Sequence, residues 1–382
     1  MAKHARPGGR TEDRWLKSMN RQVVFRVDAS VEMGLGHLTR CLTLADALAA
    51  NGAQSCFLMR SHASALAYLA ESRGHAVRLL SDPPERPARP GDGGGPYAHW
   101  LPTNWQQDAD QTRSALDEIG VSEWLIVDHY VLDTRWEQAC RRDGMRILAI
   151  DDLADRDHDC EILLDQNLVR RMETRYRGRV PAACMQLLGP RYALLRPDFA
   201  TQRGLLGRRS GEINRILVCF GGSDPTNETA KALEAIASLA VSRLAVDVVI
   251  GASNPHAASV DALCRRMANV TLRRGANNIA ELMRRADLSI GAGGVMSWER
   301  CCLGLPTVAI GIAENQADVL TALAAAGAIV HVGAAASVTE EGIAQVLHSL
   351  SCNPGQVRSM SETALALVDG DGAERVRHAI FS

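Results

Sequence analysis

A histidine follows two closely spaced glycines where a predicted helix begins: Gly34, Gly36 and His37. The apolar run over 23–27 before this loop predicts a buried parallel strand, and apolar residues at helical spacing follow the loop. A helix start presents free N–H groups and a partial positive charge, which disfavours a protonated imidazole. The segment therefore predicts a general base, His37, beside an anion-binding site.

Two more glycine loops follow predicted strands in the second half of the chain, at 221–227 and 291–300. Glycine lets the backbone approach a phosphate closely, and hydroxyl groups beside it can donate to phosphate oxygens. A carboxylate one turn into a helix can accept hydrogen bonds from both ribose hydroxyls. These features predict a nucleotide site at Gly221, Gly222, Ser223, Gly293, Gly294, Ser297 and Glu299. The alternative interpretations are a strand-to-helix turn with an Asp-Pro cap and a first-turn acid that favours the helix dipole.

Other polar residues at strand ends allow more than one role. Asn315 and Gln316 can read sugar hydroxyl or acetamido groups, or they can begin a helix. Asp28 either orients the His37 imidazole or binds the sugar, and Arg26 pairs with Asp28 or with a phosphate.

Two further hypotheses concern a metal ion and a dinucleotide. Asp128, Asp151 and Asp152, with His129 or His158, suggest a metal site, but carboxylates at strand ends commonly cap the next helix, so we predict no metal. An NADP oxidoreductase would use the first glycine loop, with Arg60 after the second strand in the place where an NAD site has an acidic residue.

The composition narrows the class of protein. With 382 residues and a formal charge of −2, the chain is long enough for two domains and carries no sign of a nucleic-acid or membrane partner. None of its ten cysteines forms a C-x-x-C pair, which is typical of reduced, mostly buried thiols. There is no apolar run of membrane-spanning length and no signal peptide. We expect a cytoplasmic monomer that binds a small molecule and needs no cofactor.

Alternating strand-like and helix-like segments predict an α/β fold of two Rossmann-like domains whose parallel sheets face a central cleft. Residues 1–21 read as a disordered extension, 22–200 as the domain with His37, 201–213 as a linker and 214–382 as the nucleotide-sugar domain. A proline- and glycine-rich insertion at 83–96 reads as a flexible surface loop. The predicted strands are 23–27, 55–59, 76–80, 125–127 and 147–150, then 216–220, 246–250, 270–272, 288–290 and 307–310.

The glycine, glutamate and Asn-Gln series resembles the nucleotide-sugar half of GT-B glycosyltransferases, especially the enzyme that adds N-acetylglucosamine to the peptidoglycan lipid precursor. The whole set of motifs is more similar to the UDP-2,4-diacetamido-2,4,6-trideoxy-β-L-altropyranose hydrolases of pseudaminic acid biosynthesis. The motifs that carry this resemblance are RVDAS at 26–30, GLGHLTR at 34–40, VDHY at 127–130, IDDL at 150–153, LDQN at 164–167, YALLR at 192–196, GGSD at 221–224, WERC at 298–301 and NQ at 315–316.

The resemblance implies hydrolysis of a UDP-linked 2,4-diacetamido-2,4,6-trideoxy hexose, with inversion, in a route to a nonulosonic acid for surface or flagellar glycans. It implies that His37 activates water and that Tyr130 and Asn315 contact the substrate; we add Asp28, Gly36 and Gln316 as expected substrate contacts. Val295 and Met296 stand where the family has hydroxyl residues. A glycosyltransferase with the same donor site is the alternative hypothesis, and a non-catalytic nucleotide-sugar sensor is a third.

Overall fold

The computed structural model describes residues 21–30, 33–83, 96–239, 244–252, 254–276 and 278–382. Residues 1–20 of the predicted extension and 84–95 of the predicted insertion lie outside the described residues.

Two parallel sheets form the framework. The first has the strand order β3-β2-β1-β4-β5-β6-β7 and the second β10-β9-β8-β11-β12-β13. The strands of the first sheet are β1 (Arg21–Val27), β2 (Ala53–Arg60), β3 (Ala76–Leu80), β4 (Trp124–Asp128), β5 (Arg146–Ile150), β6 (Ile162–Asp165) and β7 (Met185–Leu188). Those of the second are β8 (Arg215–Cys219), β9 (Ala245–Ile250), β10 (Val270–Arg274), β11 (Leu288–Ala292), β12 (Thr307–Gly311) and β13 (Ile329–Ala334).

Helices cover both faces of each sheet, which is why the central strands are mostly apolar. The helices before the second sheet are α1 (Gly36–Ala49), α2 (Tyr68–Glu71), α3 (Trp105–Ile119), α4 (Thr134–Cys140) and α5 (Pro197–Gly204). Those that follow are α6 (Glu228–Ser238), α7 (Ala257–Arg265), α8 (Ile279–Arg285), α9 (Val295–Cys302), α10 (Ala317–Ala326), α11 (Glu340–Ser351), α12 (Pro354–Leu367) and α13 (Gly372–Phe381). Short 3-10 turns occupy Ser61–Leu66, Ala98–Trp100, Met172–Thr174, Pro190–Tyr192 and Glu314–Gln316.

All ten predicted strands are present within a few residues of their predicted bounds, and three strands were missed. β6 and β7 are only four residues long, and β7 is half-exposed, so neither has a long apolar run. β13 is mostly half-buried at the edge of its sheet. Short edge strands give weak sequence patterns because one face or one side of the strand stays in water.

The strand order reverses between β1 and β4 in the first sheet and between β8 and β11 in the second. At such a reversal the loops leaving the two neighbouring strands diverge, which opens a crevice at the carboxyl ends of the strands. His37 follows β1, and the glycine loops follow β8 and β11. The fold therefore places His37 at one such crevice and the two glycine loops of the second sheet at the other.

The segment predicted as a linker, 201–213, contacts helices that pack on the second sheet. Arg203, in α5, donates from Nη1 to the backbone oxygens of Cys302, at 2.6 Å, and Val368, at 2.9 Å. The final helix, α13, returns to the first sheet, where Val376 and Ile380 are buried in the core that also contains the buried face of α1. The prediction put all of 214–382 in one domain, whereas α13 packs in the core of the first sheet.

The ten cysteines are free, and nine of them are buried, as predicted; Cys352 is exposed. None of the helices in the described part of the chain is long and apolar enough to cross a lipid bilayer.

The packing of α13 makes a prediction about the first sheet. Ile380→Ala removes a side chain that is fully buried against α1, so we expect a loss of about 2–5 kcal/mol in the free energy of unfolding of this core. Hydrogen exchange in β1 and α1 should accelerate while β8 and β11 stay protected. Ile343→Ala, an equally buried isoleucine in the second core, is the matched control and should give the opposite pattern. Equal protection loss in both sheets for Ile380→Ala would contradict the assignment of α13 to the first core.

Candidate active site

A cavity of about 680 Å³ lies between the two sheets, at the crevices where their strand orders reverse. From the first lobe, the part of the chain built on the first sheet, it is lined by the β1–α1 loop, His37 and Tyr130. From the second lobe, built on the second sheet, it is lined by both glycine loops and by Asn315. The fold thus brings residues from opposite ends of the chain to one cavity.

His37 lines this cavity and has a carboxylate partner behind it. Its Nδ1 lies 2.6 Å from Oδ1 of Asp128, the last residue of β4. β1 pairs with β4 in parallel, and Val27 is the register partner of Asp128, so the β1–α1 loop emerges beside this carboxylate. An ionised carboxylate only accepts hydrogen bonds, so Nδ1 donates to Asp128, and in a neutral imidazole held this way Nε2 is the nitrogen that accepts.

Arg40, one turn further along α1, holds Asp128 in place. Its Nε and Nη2 donate to the two oxygens of Asp128 at 2.6 Å each, and its Nη1 donates to Oδ2 of Asp152 at 2.8 Å. Burial alone would raise the pKa of the Asp128 carboxyl, but Arg40 and His37 outweigh burial and hold that pKa far below its usual value. Asp128 is therefore a fixed negative charge behind the imidazole.

Asp28, expected to orient His37 or to bind the sugar, does neither. It is fully buried outside the cavity wall, where Arg26 donates from Nη2 to its Oδ2 at 2.8 Å and the Arg60 backbone N–H donates to its Oδ1 at 2.7 Å. Arg26 therefore pairs with Asp28 rather than with a phosphate. The residue that contacts the imidazole is Asp128, because the pairing of β1 with β4 brings it next to the β1–α1 loop. In the sequence, the position of Asp128 at the end of an apolar run could have indicated this role.

Asp151 and Asp152, which were considered as metal ligands, have other partners in the structure. Asp151 accepts the Leu153 and Ala154 backbone N–H groups at 3.2 and 3.0 Å and lies 3.0 Å from Nη1 of Arg156. Asp151 therefore stabilises the turn that follows β5, and Asp152 accepts from Arg40, so both carboxylates have protein partners rather than a metal-ligand arrangement. The described residues contain no cluster of three or more His, Cys, Asp or Glu side chains that could hold a metal ion.

Arg60, considered for an NADP phosphate, is also buried. It donates from Nε to Oδ2 of Asp108 at 2.9 Å and from Nη1 to the Ser81 backbone oxygen at 2.8 Å. The Arg60 guanidinium forms its hydrogen bonds inside the first lobe, so it is not positioned to contact a ligand in the cavity.

The two glycine loops of the second lobe differ in the helix that follows each one. At α6, Asp224 accepts the backbone N–H groups of Glu228 and Thr229 at 2.9 Å each, so a carboxylate already occupies that helix start. At α9 the N-cap is Gly294, with φ +82°, and within the described structure neither a side-chain cap nor a first-turn acid is present. Of these two helix starts, that of α9 is therefore the one open to an anion.

The α1 and α9 helix starts meet across the cavity. A Cβ atom added to Gly36 would lie 3.6 Å from Cγ2 of Val295, the first residue of α9. α1 likewise starts without a side-chain cap or a first-turn acid, as judged over the residues described around it. Two partly positive helix ends therefore converge on one space, which favours a negatively charged ligand there.

Gly221, Gly222, Ser223, Gly293, Gly294 and Glu299 all line the cavity, as expected for a nucleotide site. Ser297 does not. It is 3% exposed, it lies behind the cavity wall, and its Oγ is 3.4 Å from Nη2 of the buried Arg300. The expectation that Ser297 contacts phosphate is therefore not met, because the first turn of α9 directs position 297 inward.

Glu299 is half-buried on the cavity wall. Burial raises the pKa of its carboxyl to about 7, against the opposing effects of Arg196 and Arg300. Its charge therefore changes near neutral pH, and a ligand that donates hydrogen bonds to it would favour the ionised form.

Asn315 and Gln316 both line the cavity, but only Asn315 reaches the first lobe. Nδ2 of Asn315 donates to the Tyr130 hydroxyl at 3.4 Å, which joins the two lobes next to His37. Oε1 of Gln316 accepts the Ile312 backbone N–H at 3.1 Å. The Gln316 side chain also packs against Gly293, because a Cβ atom added to Gly293 would lie 3.0 Å from the Gln316 Cβ atom.

Several cavity residues were missed from the sequence, and two of them are aromatic. Tyr97 and Trp100 follow the predicted insertion directly and line the cavity beside Tyr130. Neither belongs to a glycine loop or a strand end, and the insertion before them suggested a peripheral surface. The available signal was the pairing of a tyrosine and a tryptophan within four positions, 97–100, in a chain that is 4% aromatic.

The class of fold is confirmed by solved structures. The chain superposes on MurG of Acinetobacter baumannii with a TM-score of 0.65 and 16% identity, over 94% of this chain and 99% of that one. The protein therefore has the predicted GT-B-like fold of two Rossmann-like domains with parallel sheets.

The sequence relatives cover less of the chain. Residues 230–359 match a family model described as a protein of unknown function, DUF354. The chain is 30% identical over 190 residues to the spore coat polysaccharide biosynthesis protein SpsG of Bacillus subtilis, which is 49% of this chain and 56% of SpsG. It is 28% identical over 206 residues to the UDP-2,4-diacetamido-2,4,6-trideoxy-β-L-altropyranose hydrolase of Campylobacter jejuni, over 54% of this chain and 72% of that protein. The match thus spans little more than half of SpsG.

The contribution of the Asp128 carboxylate to stability and to the orientation of His37 can be tested without an activity assay. Asp128→Asn removes the carboxylate that Arg40 and His37 share. We expect the free energy of unfolding to fall by about 3 kcal/mol, the lower end for breaking a buried ion pair, because Asp152 still pairs with Arg40. Urea unfolding measures this loss, and in Asp128→Ala nitrogen NMR should show that the imidazole no longer holds a single Nδ1–H tautomer.

The matched control is Asp133→Asn, at a partly exposed carboxylate that accepts the Arg135 backbone N–H at the start of α4. An asparagine keeps this cap, so we expect a change within about 0.5 kcal/mol. Because the asparagine oxygen can still accept from Nδ1, Asp128→Ala is the decisive variant: a fixed Nδ1–H tautomer there would show that something other than residue 128 orients the ring.

Proposed function

We propose that this chain hydrolyses a UDP-linked 2,4-diacetamido-2,4,6-trideoxy hexose of the altrose type to UDP and the free sugar, by inverting attack of water at the anomeric carbon. The observation that supports this most directly is the geometry around one cavity. An imidazole with its Nδ1 engaged by an ionised carboxylate faces the same space as the open start of α9 and the Glu299 carboxyl. The Campylobacter jejuni protein with matching sequence carries this activity in its name.

His37 acts as the general base in this proposal. Its Nε2 accepts a proton from water while the water oxygen forms a bond to the anomeric carbon. The bond from that carbon to the diphosphate oxygen breaks at the same time, and the electron pair leaves with UDP. Asp128 stabilises the imidazolium that forms, as a carboxylate behind a catalytic histidine does, and the proton then passes to solvent.

The second lobe binds the leaving group. Backbone N–H groups at the start of α9 and in the loops with Gly221, Gly222, Gly293 and Gly294 face the developing negative charge on the diphosphate. Val295 and Met296 carry no hydroxyl, so main-chain donors provide these contacts. Ser223 adds a hydroxyl donor, and Glu299 accepts from the ribose hydroxyls.

The sugar lies between the lobes, in contact with Gly36, Tyr130, Asn315 and Gln316. Asn315 and Tyr130 already meet across the cavity, so they stand where a bound sugar would contact both lobes. The reaction would supply a free sugar to nonulosonic acid synthesis, such as that of pseudaminic acid.

A glycosyltransferase with the same donor site is the second candidate, since the likeness to MurG extends over nearly the whole chain. In that case a hydroxyl group of an acceptor would replace water at His37. The two functions are separated by incubating the chain with a UDP-amino sugar and no acceptor.

The first prediction of this proposal concerns His37. The unmodified chain should release UDP and free sugar without an acceptor, and His37→Ala should lower kcat by about 10²–10⁴, the usual contribution of a general base. Proton NMR follows both products and the anomeric configuration.

His62→Ala is the matched control, because His62 is a partly exposed histidine of the first lobe that contacts Asp82 away from the cavity. It should keep full turnover. UDP release that depends strictly on an added acceptor would favour the glycosyltransferase, and unchanged turnover in His37→Ala would exclude His37 as the base.

The second prediction uses the titration of Glu299. Below pH 7 this carboxyl is protonated and above pH 7 it is ionised; ribose hydroxyls donate to the ionised form, so binding is strong above pH 7 and is lost as pH falls through 7. The ionised fraction falls about tenfold between pH 8 and pH 6, so the Kd for UDP should rise about tenfold. Calorimetry at both pH values measures it.

Glu299→Gln is the matched control, since it retains only the titration of UDP itself. Its Kd should change much less between the two pH values. An identical pH dependence in Glu299→Gln and the unmodified chain would remove Glu299 from the nucleotide site.

A further inference from the structure

Two cysteine sulfur atoms are in contact inside the first lobe. Sγ of Cys160 lies 3.7 Å from Sγ of Cys184, and both residues are free cysteines. They are 24 positions apart in the chain, so the contact is made by the fold and not by sequence proximity. Neither thiol lines the cavity, and the proposed mechanism uses neither of them.

Strand pairing brings the two thiols together. β6 and β7 pair in parallel, with Ile162 as the register partner of Met185. The Met185 backbone N–H also donates to the Glu161 backbone oxygen at 2.9 Å, which continues the pairing one residue before β6. Cys160 directly precedes Glu161, Cys184 directly precedes Met185, and both cysteines belong to one core cluster.

This register suits a disulfide. Neighbouring strands are about 4.8 Å apart, and one residue of offset along a strand adds about 3.3 Å at right angles to that distance. The Cα atoms of Cys160 and Cys184 are therefore expected about 6 Å apart, inside the range of about 4.4–6.8 Å that disulfides span. A bond between the two sulfur atoms then needs side-chain rotation rather than a rearrangement of the sheet.

The surroundings of the two sulfur atoms make Cys184 the more reactive thiol. A hydrogen bond from Cys160 lowers the pKa of the Cys184 thiol, although burial raises it. The Leu163 backbone N–H and the charge of His158 lower this pKa further. His158 carries that charge because, although burial lowers its pKa, hydrogen bonds to two buried carboxylates raise the pKa to about 9. The thiolate is the nucleophilic form of cysteine, so Cys184 is the attacking sulfur of the pair.

Cys184 is also the thiol nearer to solvent. It is 9% exposed, whereas Cys160 is 2% exposed. The three residues before it, 181–183, are exposed, and the Cys184 backbone N–H donates to the Pro181 backbone oxygen at 2.9 Å. These residues therefore form a surface turn from which a small oxidant reaches Cys184 first, with Cys160 behind it.

We propose that Cys160 and Cys184 form a reversible modification site, at which a hydroperoxide oxidises the two thiols to a disulfide and a low-molecular-weight thiol reduces it again. The Cys184 thiolate attacks one peroxide oxygen, the O–O bond breaks and hydroxide leaves, which gives a sulfenic acid at Cys184. The Cys160 sulfur then attacks the Cys184 sulfur, the S–O bond breaks, and the hydroxide leaves as water with the Cys160 proton. The two thiols lose two electrons in total, and one peroxide molecule becomes two water molecules.

The segment that this disulfide would enclose contributes to the cavity. Gln166 and Asn167 lie within it and line the cavity wall. Arg175, in the same segment, donates to Oδ2 of Asp165 and to the Asp152 backbone oxygen at 2.9 Å each. Oxidation would therefore tie together the two ends of a segment that carries cavity residues. The inference goes beyond the proposed function and does not depend on it.

The test is to map the thiols of the full-length chain. The folded chain is treated with a few equivalents of hydrogen peroxide, the remaining thiols are blocked with N-ethylmaleimide, and the peptides are analysed by mass spectrometry. We expect two peptides joined through Cys160 and Cys184, lighter by two hydrogen atoms than the free pair, which dithiothreitol separates again. Cys264→Ser, at a buried cysteine in α7, is the matched control and should form the same link.

Two single variants test the order of the steps. Cys160→Ser removes the second thiol, so a sulfenic acid should accumulate at Cys184, where dimedone traps it. Cys184→Ser removes the attacking thiol, so the same treatment should leave Cys160 unmodified. Circular dichroism before oxidation shows whether each variant is folded. The proposal is overturned if Cys160 and Cys184 stay free while the exposed Cys352 is oxidised, if the link forms only in urea, or if Cys184 of the unmodified chain becomes sulfinic acid without a link.

Discussion

The Asp128 carboxylate is buried at the end of β4, and the first-lobe side of the cavity depends on how its charge is balanced. Transferring a carboxylate out of water costs several kcal/mol, which a single neutral hydrogen bond does not repay. Arg40 offsets this cost with two hydrogen bonds of 2.6 Å, and the fork of its guanidinium matches the two carboxylate oxygens. Because Arg40 and His37 are one turn apart on α1, the same contact fixes the helix, the carboxylate and the imidazole together.

Among the residues that the structure describes, the second lobe has no comparable ion pair at the cavity, and the backbone contributes its positive field. α6 and α9 both follow glycine loops, but Asp224 neutralises the start of α6 while the start of α9 is left open. A helix end without a cap keeps about half a positive charge, which makes it an anion site. The two lobes thus differ at the cavity: the first presents an imidazole backed by a carboxylate, which the proposed mechanism uses as the proton acceptor, and the second presents a positive helix end.

The cavity also combines polar and apolar walls. Glu299, Asn315 and the glycine loops present donors and acceptors, while Tyr97, Trp100 and Tyr130 present ring surface. A nucleotide sugar has the same division, since the diphosphate and ribose are polar and a deoxy sugar has apolar faces. In the proposed function, binding energy from the nucleotide would orient the sugar next to His37.

Local sequence patterns determined much of this protein. Buried strands, the glycine loops, the helix start at His37 and the class of fold follow from short-range periodicity and from backbone requirements, which neighbouring residues encode by themselves. Only the tertiary structure decided which groups meet. Asp28 is 9 residues from His37 in sequence yet contacts Arg26, whereas Asp128 is 91 residues away and contacts the ring, because β1 pairs with β4. The inward position of Ser297, the rings of Tyr97 and Trp100, and the return of α13 to the first core likewise depend on long-range packing, which no local pattern specifies.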